Sequence, residues 1–373
     1  MGLCPEPARG LARFFGPEQP EKPANPRPVD GCLGGNRRLL SRGPFMTSRA
    51  ELVRQAIRFQ GPERIPIWYV NCDQTDGDVI VYHLSLDMVD RPGTNEWGYH
   101  LEKLGDGTMG HPTRPSLPDW ETAEALRPPP LREEARLAGA AAYFDLCEDR
   151  YRLASLDLSG FTVYTLMRGF ENSMTDFLVE PERSARLLDK IFDWECEVIE
   201  MVARRGFHGI HFADDWGTQT GLMISPALWR KLFKPRYQRQ FSLARRVGLE
   251  SWFHCCGNLT EIAEDFHEIG VDVLNIAQPN VVDVDRVSAR LRGRQCFLIP
   301  MSYQTVSISG TPEEIYAEAE RLFGLLGTSR GGFIGYVEEY GCMGMSEENY
   351  RACGQAFRRL RPTPEPSHGP HLR

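Results

Sequence analysis

Short apolar runs alternate with long amphipathic stretches from residue 65 to residue 360, and no other feature constrains the fold as much. Runs at 65–70, 161–166, 209–213, 250–254, 271–276, 295–299 and 333–337 have strand length. Helical periodicity fills 181–205, 226–247, 259–269, 284–291, 312–326 and 347–360. That succession is the pattern of βα units. Thr311-Pro312-Glu313-Glu314 supplies an N-cap hydroxyl, a first-turn proline and a glutamate at N3, a specific helix start. Gly206, Gly248, Gly270 and Gly327 fall where helices should stop. At least seven strands with regular helical crossovers predict an α/β fold made of one (β/α)8 TIM barrel. A doubly wound sheet is the weaker reading, because no Gly-x-Gly-x-x-Gly phosphate loop follows the first strand.

Both ends lie outside this pattern. Residues 1–45 are dense in Pro, Gly and Arg, too poor in apolar surface to order themselves, and are expected to be a disordered leader. Met46-Thr47-Ser48 opens the periodic region, with Ser48 as N-cap and Glu51 completing a capping box, so Met46 is read as the natural start. The barrel is expected over 46–360 and a disordered tail over 361–373. The chain has 373 residues, 41% of them hydrophobic, which suffices for a core of that size. A net charge of −8 gives no basic field, and no nucleic-acid motif is present, so nucleic acid is not an expected partner. No apolar run approaches the ~20 residues of a membrane span, and the first residues lack a secretory signal's apolar core. A cytoplasmic location is expected. Ten cysteines without framework spacing fit reduced thiols better than a secreted disulfide scaffold.

In a barrel, polar residues just beyond the strands converge on one face, where active sites of this architecture lie. Asp214, Asp215 and Gln219 follow 209–213, and His254 and Cys256 end the next strand. Asn275 and Gln278 come after them, and Glu338, Glu339 and Cys342 follow the last strand. Residues two apart on a strand share a side, so His254 and Cys256 can reach one ion while Cys255 points away. Imidazole and thiolate suit Zn2+, and Cys342 is the choice for a third ligand, leaving one position open as catalytic zinc sites do. Taken alone, the pair is also compatible with ordinary core packing, and Asp214 and Asp215 with capping of the next helix. Trp229, Phe233 and Tyr237 recur at helical spacing and read as core, and His211 reads as interior.

Several segments together carry a resemblance. They are Asp214-Asp215-Trp216-Gly217-Thr218-Gln219, Ile224-Ser225-Pro226-Ala227-Leu228-Trp229, Lys234-Pro235-Arg236-Tyr237, His254-Cys255-Cys256-Gly257-Asn258, Gly270 to Asn275 with Gln278-Pro279, and Gly310 to Glu314. From Met46 to about Leu360 the chain resembles the uroporphyrinogen decarboxylase superfamily, in particular its zinc-dependent branch of methylcobamide:coenzyme M methyltransferases and corrinoid-linked demethylation enzymes. The resemblance implies the same barrel. True decarboxylases of the superfamily carry an Arg-Gln-Ala-Gly-Arg-Tyr segment soon after the first strand, whose arginines hold substrate carboxylates. Here the corresponding Trp68 to Gln74 has no arginine. Those enzymes also end their last strand in Gly-His-Gly, where this chain has Gly341-Cys342-Met343-Gly344.

The methyltransferase branch implies zinc on His254, Cys256 and Cys342. It also implies a methyl group moving between a corrinoid (cobalamin) on a separate carrier protein and a zinc-activated small-molecule thiol or similar acceptor. Asp214 and Asp215 are expected to orient the imidazole or accept a proton, and Gln219 joins them as a catalytic candidate. Trp68, Asn275, Gln278 and Glu338 are expected to contact substrate. The alternatives are a uroporphyrinogen decarboxylase-type lyase acting on tetrapyrrole carboxylates, or a silent binder of tetrapyrrole or corrinoid.

Overall fold

The computed structural model describes residues 47–70, 77–86, 93–102, 111–146, 149–338 and 344–362. Most of the expected leader and tail, and the proposed ligand Cys342, lie outside the described residues. Eight strands form one all-parallel sheet: β1 (Ile67–Tyr69), β2 (Val79–His83), β6 (Tyr151–Ser155), β7 (Gly209–Ala213), β8 (Glu250–Cys255), β9 (Val273–Ile276), β10 (Cys296–Pro300) and β11 (Phe333–Val337). Their spatial order, β1-β11-β10-β9-β8-β7-β6-β2, is chain order read around a ring. The seam between β1 and β2 is joined by Asp78, whose N–H donates to Ile67 O at 2.8 Å while its Oδ2 accepts from Ile67 N at 2.8 Å. Arg64 holds the same carboxylate with bonds of 2.8 and 2.6 Å. The result is a (β/α)8 barrel. Between β2 and β6 an insertion carries a small antiparallel sheet of β3 (Gly93–Thr94), β4 (His100–Glu102) and β5 (His111–Arg114).

The period of two along the strands sorts side chains into two concentric cores. Trp68, Val79, Tyr151, Leu153, Trp252, Val273, Leu298, Ile334 and Tyr336 point inward and fill the barrel. Their neighbours Ile67, Ile80, Ile210, Phe212, Phe253, Leu274, Phe297 and Phe333 point outward and pack under the helices. The inner core also takes Ala50, Val53, Ala56 and Ile57 from the helix Arg49–Ile57, which therefore plugs the barrel end opposite the strand C-termini. Ser48 caps this helix, accepting from Glu51 N at 3.1 Å.

Three expectations change. The apolar run 161–166 is part of a helix, Gly160–Arg168, rather than a strand. Phe161, Val163, Tyr164, Leu166 and Met167 are all buried, and with only Thr162 and Thr165 partly exposed the short run has too few polar positions to separate helix from strand. Strands β2 and β6 were not expected. The stretch 226–247 divides into Pro226–Leu232 and Lys234–Arg246, because Pro235 has no N–H to continue the ladder of the preceding helix. The capping box at Thr311 is present on the helix Pro312–Leu326, and Trp229, Phe233 and Tyr237 are fully buried core. No described helix is long and apolar enough to cross a membrane.

Candidate metal centre

β8 delivers His254 to the barrel mouth, and β9 delivers Asn275 beside it. Asn275 Nδ2 donates to Leu298 O at 2.7 Å, which turns its Oδ1 to the imidazole, 2.6 Å from His254 Nδ1. That oxygen can only accept, so Nδ1 carries a proton, and in the neutral ring this leaves the lone pair on Nε2, the tautomer a metal ligand needs. Nε2 faces Cys256 Sγ at 3.3 Å and Asp215 Oδ1 at 3.6 Å. The ligand atoms of Asp215, His254 and Cys256 all lie within 4.8 Å of one another. A thiolate and an imidazole on one tetrahedral zinc stand ~3.6 Å apart, so the donors fit such an ion with little movement.

Two glycines bring the loops after β7 and β8 this close. A Cβ on Gly217 would stand 2.2 Å from Asn258 N, and one on Gly257 would stand 2.0 Å from Gly217 O. Gly257 also has φ +74°, a conformation that side chains disfavour. Backbone bonds Gly217 N to Cys256 O (3.1 Å) and Asn258 N to Thr218 O (2.8 Å) lock the contact. Asp215 Oδ1 accepts from Cys256 N at 2.9 Å. Burial pushes the Cys256 thiol well above its ordinary value, and Asp215 and Glu338 push the same way. A bound cation would reverse both effects.

The other expected site residues are placed as follows. Asp214 is fully buried and accepts from Phe161 N (3.1 Å), Thr162 N (2.7 Å) and Tyr237 OH (2.5 Å), so it caps the helix Gly160–Arg168. Glu195 takes the remaining first-turn donor, Gly160 N, at 2.7 Å. Burial raises Asp214 to about 7 and, with the charge of Asp214 added, raises Glu195 to about 8. Gln278 is committed to the backbone, its Oε1 accepting from Gly257 N at 2.6 Å. Gln219 sits on the rim, accepting from Gln304 Nε2 at 3.1 Å, and Gln304 in turn accepts from Asn280 at 2.9 Å. Trp68 lies inside the barrel with its ring 5.0 Å from Tyr336 and 5.5 Å from His211. His211 is interior as expected, and burial lowers its imidazole to about 3. Glu338 follows β11 and acts electrostatically on Cys256, Tyr303 and Tyr336.

Two features of the mouth were not anticipated. Tyr303, just past β10, places its hydroxyl 3.8 Å from Cys256 Sγ. The rule that selected the other candidates, a polar residue immediately after a barrel strand, also selects Tyr303. His83 at the end of β2 pairs with Asp157 at 2.6 Å, and Asp157 has φ +66°. Neither residue could be placed at a strand end while β2 and β6 went unrecognised.

The family model described as uroporphyrinogen decarboxylase (URO-D) matches residues 103–358. Among solved structures, a methyltransferase from Methanosarcina mazei is similar with TM-score 0.65 at 15% identity, over 84% of this chain and 98% of that one. At that identity the likeness concerns the fold. A chitinase from Chromobacterium violaceum covers 62% of this chain and 86% of its own with TM-score 0.35 and 10% identity. A type I 3-dehydroquinate dehydratase from Clostridium difficile covers 62% and 77% with TM-score 0.35 and 8% identity. These two are too distant to bear on the site. No curated protein matches the sequence.

Proposed function

This chain belongs to the uroporphyrinogen decarboxylase family, and within it we propose a zinc-dependent methyltransferase that moves a methyl group between a corrinoid on a carrier protein and a thiol or similar acceptor. The observation that carries this reading is the convergence of Asp215, His254 and Cys256, with Asn275 fixing the imidazole tautomer. His254 and Cys256 would hold the ion, with Cys342 proposed as a further ligand. Zinc, when bound, lets a thiol lie in the site as thiolate at neutral pH. The chain's own part is to present Nε2, to keep Cys256 in place through its N–H bond to Asp215, and to receive the thiol's proton. Asp215 Oδ2 is the proposed acceptor of that proton, because Oδ1 is engaged by Cys256 N and the side chain is half exposed to water. The lyase alternative needs cationic clamps for many carboxylates, and the stretch Trp68 to Gln74 supplies none.

The reading predicts about one zinc per purified chain, measured by elemental analysis, and loss of that metal in both His254→Ala and Cys256→Ala. Undiminished zinc in both variants would remove the assigned site, and release of carbon dioxide from uroporphyrinogen in the presence of chelator would favour the lyase.

A further inference from the structure

Any site that activates an incoming thiol on a cysteine-bound ion contains competing nucleophiles. Its own ligand thiolates can take the methyl group, and a thioether is a poorer ligand than a thiolate. Cys256 is the described ligand sulfur, and one hydroxyl is aimed at it. Tyr303 Oη lies 3.8 Å from Cys256 Sγ, at the long end of an O–H···S contact.

The turn that carries Tyr303 is pinned on both sides. Ser302 O accepts from Ser307 N at 3.0 Å, and Thr305 Oγ1 donates to Ser302 Oγ at 2.8 Å. Gln304 is tied to Gln219 beyond β7 and to Asn280 beyond β9, so side chains of two neighbouring loops brace the turn that carries the phenol. Beside a thiolate, which has no proton to give, the phenol can only donate. A hydrogen bond to sulfur withdraws electron density from the lone pair that would attack carbon.

We propose that Tyr303 shields Cys256 from self-methylation: its O–H donates to the ligand sulfur and makes it a weaker nucleophile than the acceptor thiol bound beside it. This rests on the methyl-transfer reading above. The suppressed side reaction is a simple displacement. The Cys256 sulfur pair forms an S–CH3 bond, the bond from carbon to the leaving group breaks, and the leaving group departs with its electron pair. Tyr303 is a positioning residue here, acting through Cys256.

Methyl iodide is a suitable probe, iodide being the leaving group. Zinc-loaded wild type, Tyr303→Phe and Gln304→Ala proteins are exposed to it, and methylation at Cys256 is followed by peptide mass spectrometry alongside zinc content. Tyr303→Phe should be methylated about threefold to tenfold faster than wild type, the rate equivalent of one ordinary hydrogen bond. Gln304→Ala, which loosens the turn but keeps the phenol, should fall between them, and it carries the test if Tyr303→Phe loses zinc. Equal rates at equal zinc content overturn the proposal alone. A wild-type protein that binds no zinc overturns the methyl-transfer reading and this proposal with it.

Discussion

Gly217 and Gly257 meet backbone to backbone, and the candidate centre exists because neither has a side chain. Replacing Gly257 with alanine would put a methyl group 2.0 Å from a carbonyl oxygen in a left-handed conformation. We expect Gly257→Ala to cost about 3 kcal/mol or more and to weaken metal binding, because the two donor loops must separate. Gly221 is the control: a Cβ there meets nothing within 4 Å, so Gly221→Ala should stay within about 0.5 kcal/mol of wild type. Urea midpoints and zinc content measure both. At this scale His254-x-Cys256 was legible, since strand period alone puts its side chains together. The roles of Asn275 and Gln278 were not. Which way an amide turns depends on Leu298 O in one case and Gly257 N in the other, partners that only the folded barrel brings near.

The helix Gly160–Arg168 shows what an element can ask of distant sequence. Its first-turn N–H groups are met by Glu195 and Asp214, two buried carboxylates from different parts of the chain. Anions suit a helix N-terminus, but here burial prevails and holds both groups up. Glu195 binds its proton up to about pH 8 in the folded protein and loses it near 4.5 when unfolded. Its contribution to stability is therefore complete below about pH 4.5 and disappears as pH rises toward 8. Glu195→Gln mimics the protonated form, so it should remove part of the loss of stability between pH 5 and 8.5, on the order of ~2–4 kcal/mol. Parallel urea titrations at the two pH values check this, and an identical pH dependence in wild type and variant would contradict it. The sequence pattern announced this helix only faintly, because Thr162 and Thr165 alone interrupt the apolar run from Phe161 to Met167. For the same reason Asp214, next to Asp215, could not be divided from it by inspection: one turns down to cap a helix and the other up to the mouth. The six long helical stretches and the Thr311 capping box were legible because their signals are local.

At the scale of the molecule, the barrel depends on one polar joint. Asp78 is fully buried, accepts from Ile67 N and is gripped by Arg64 where β1 meets β2. Removing one partner leaves the other charge uncompensated, so Asp78→Ala should cost ~3–5 kcal/mol in a urea unfolding experiment. A loss below about 1 kcal/mol would show that the seam closes without it. The ring order itself was legible from the alternation of elements, although two of its eight strands were not.

The plug formed by Arg49–Ile57 has a consequence for how the protein is made. This helix precedes every strand of the barrel in the chain, yet its apolar face joins the inner core, and Gly332 N near β11 donates to its Ala56 O at 2.8 Å. β1 likewise takes a hydrogen-bonded neighbour from β11, Ile67 opposite Gly335. Contacts so far apart in sequence form late and slowly. Until β11 has been made, the nascent chain must carry an unpaired strand edge and an uncovered helix. Such a chain is a natural client for chaperones that bind extended apolar segments.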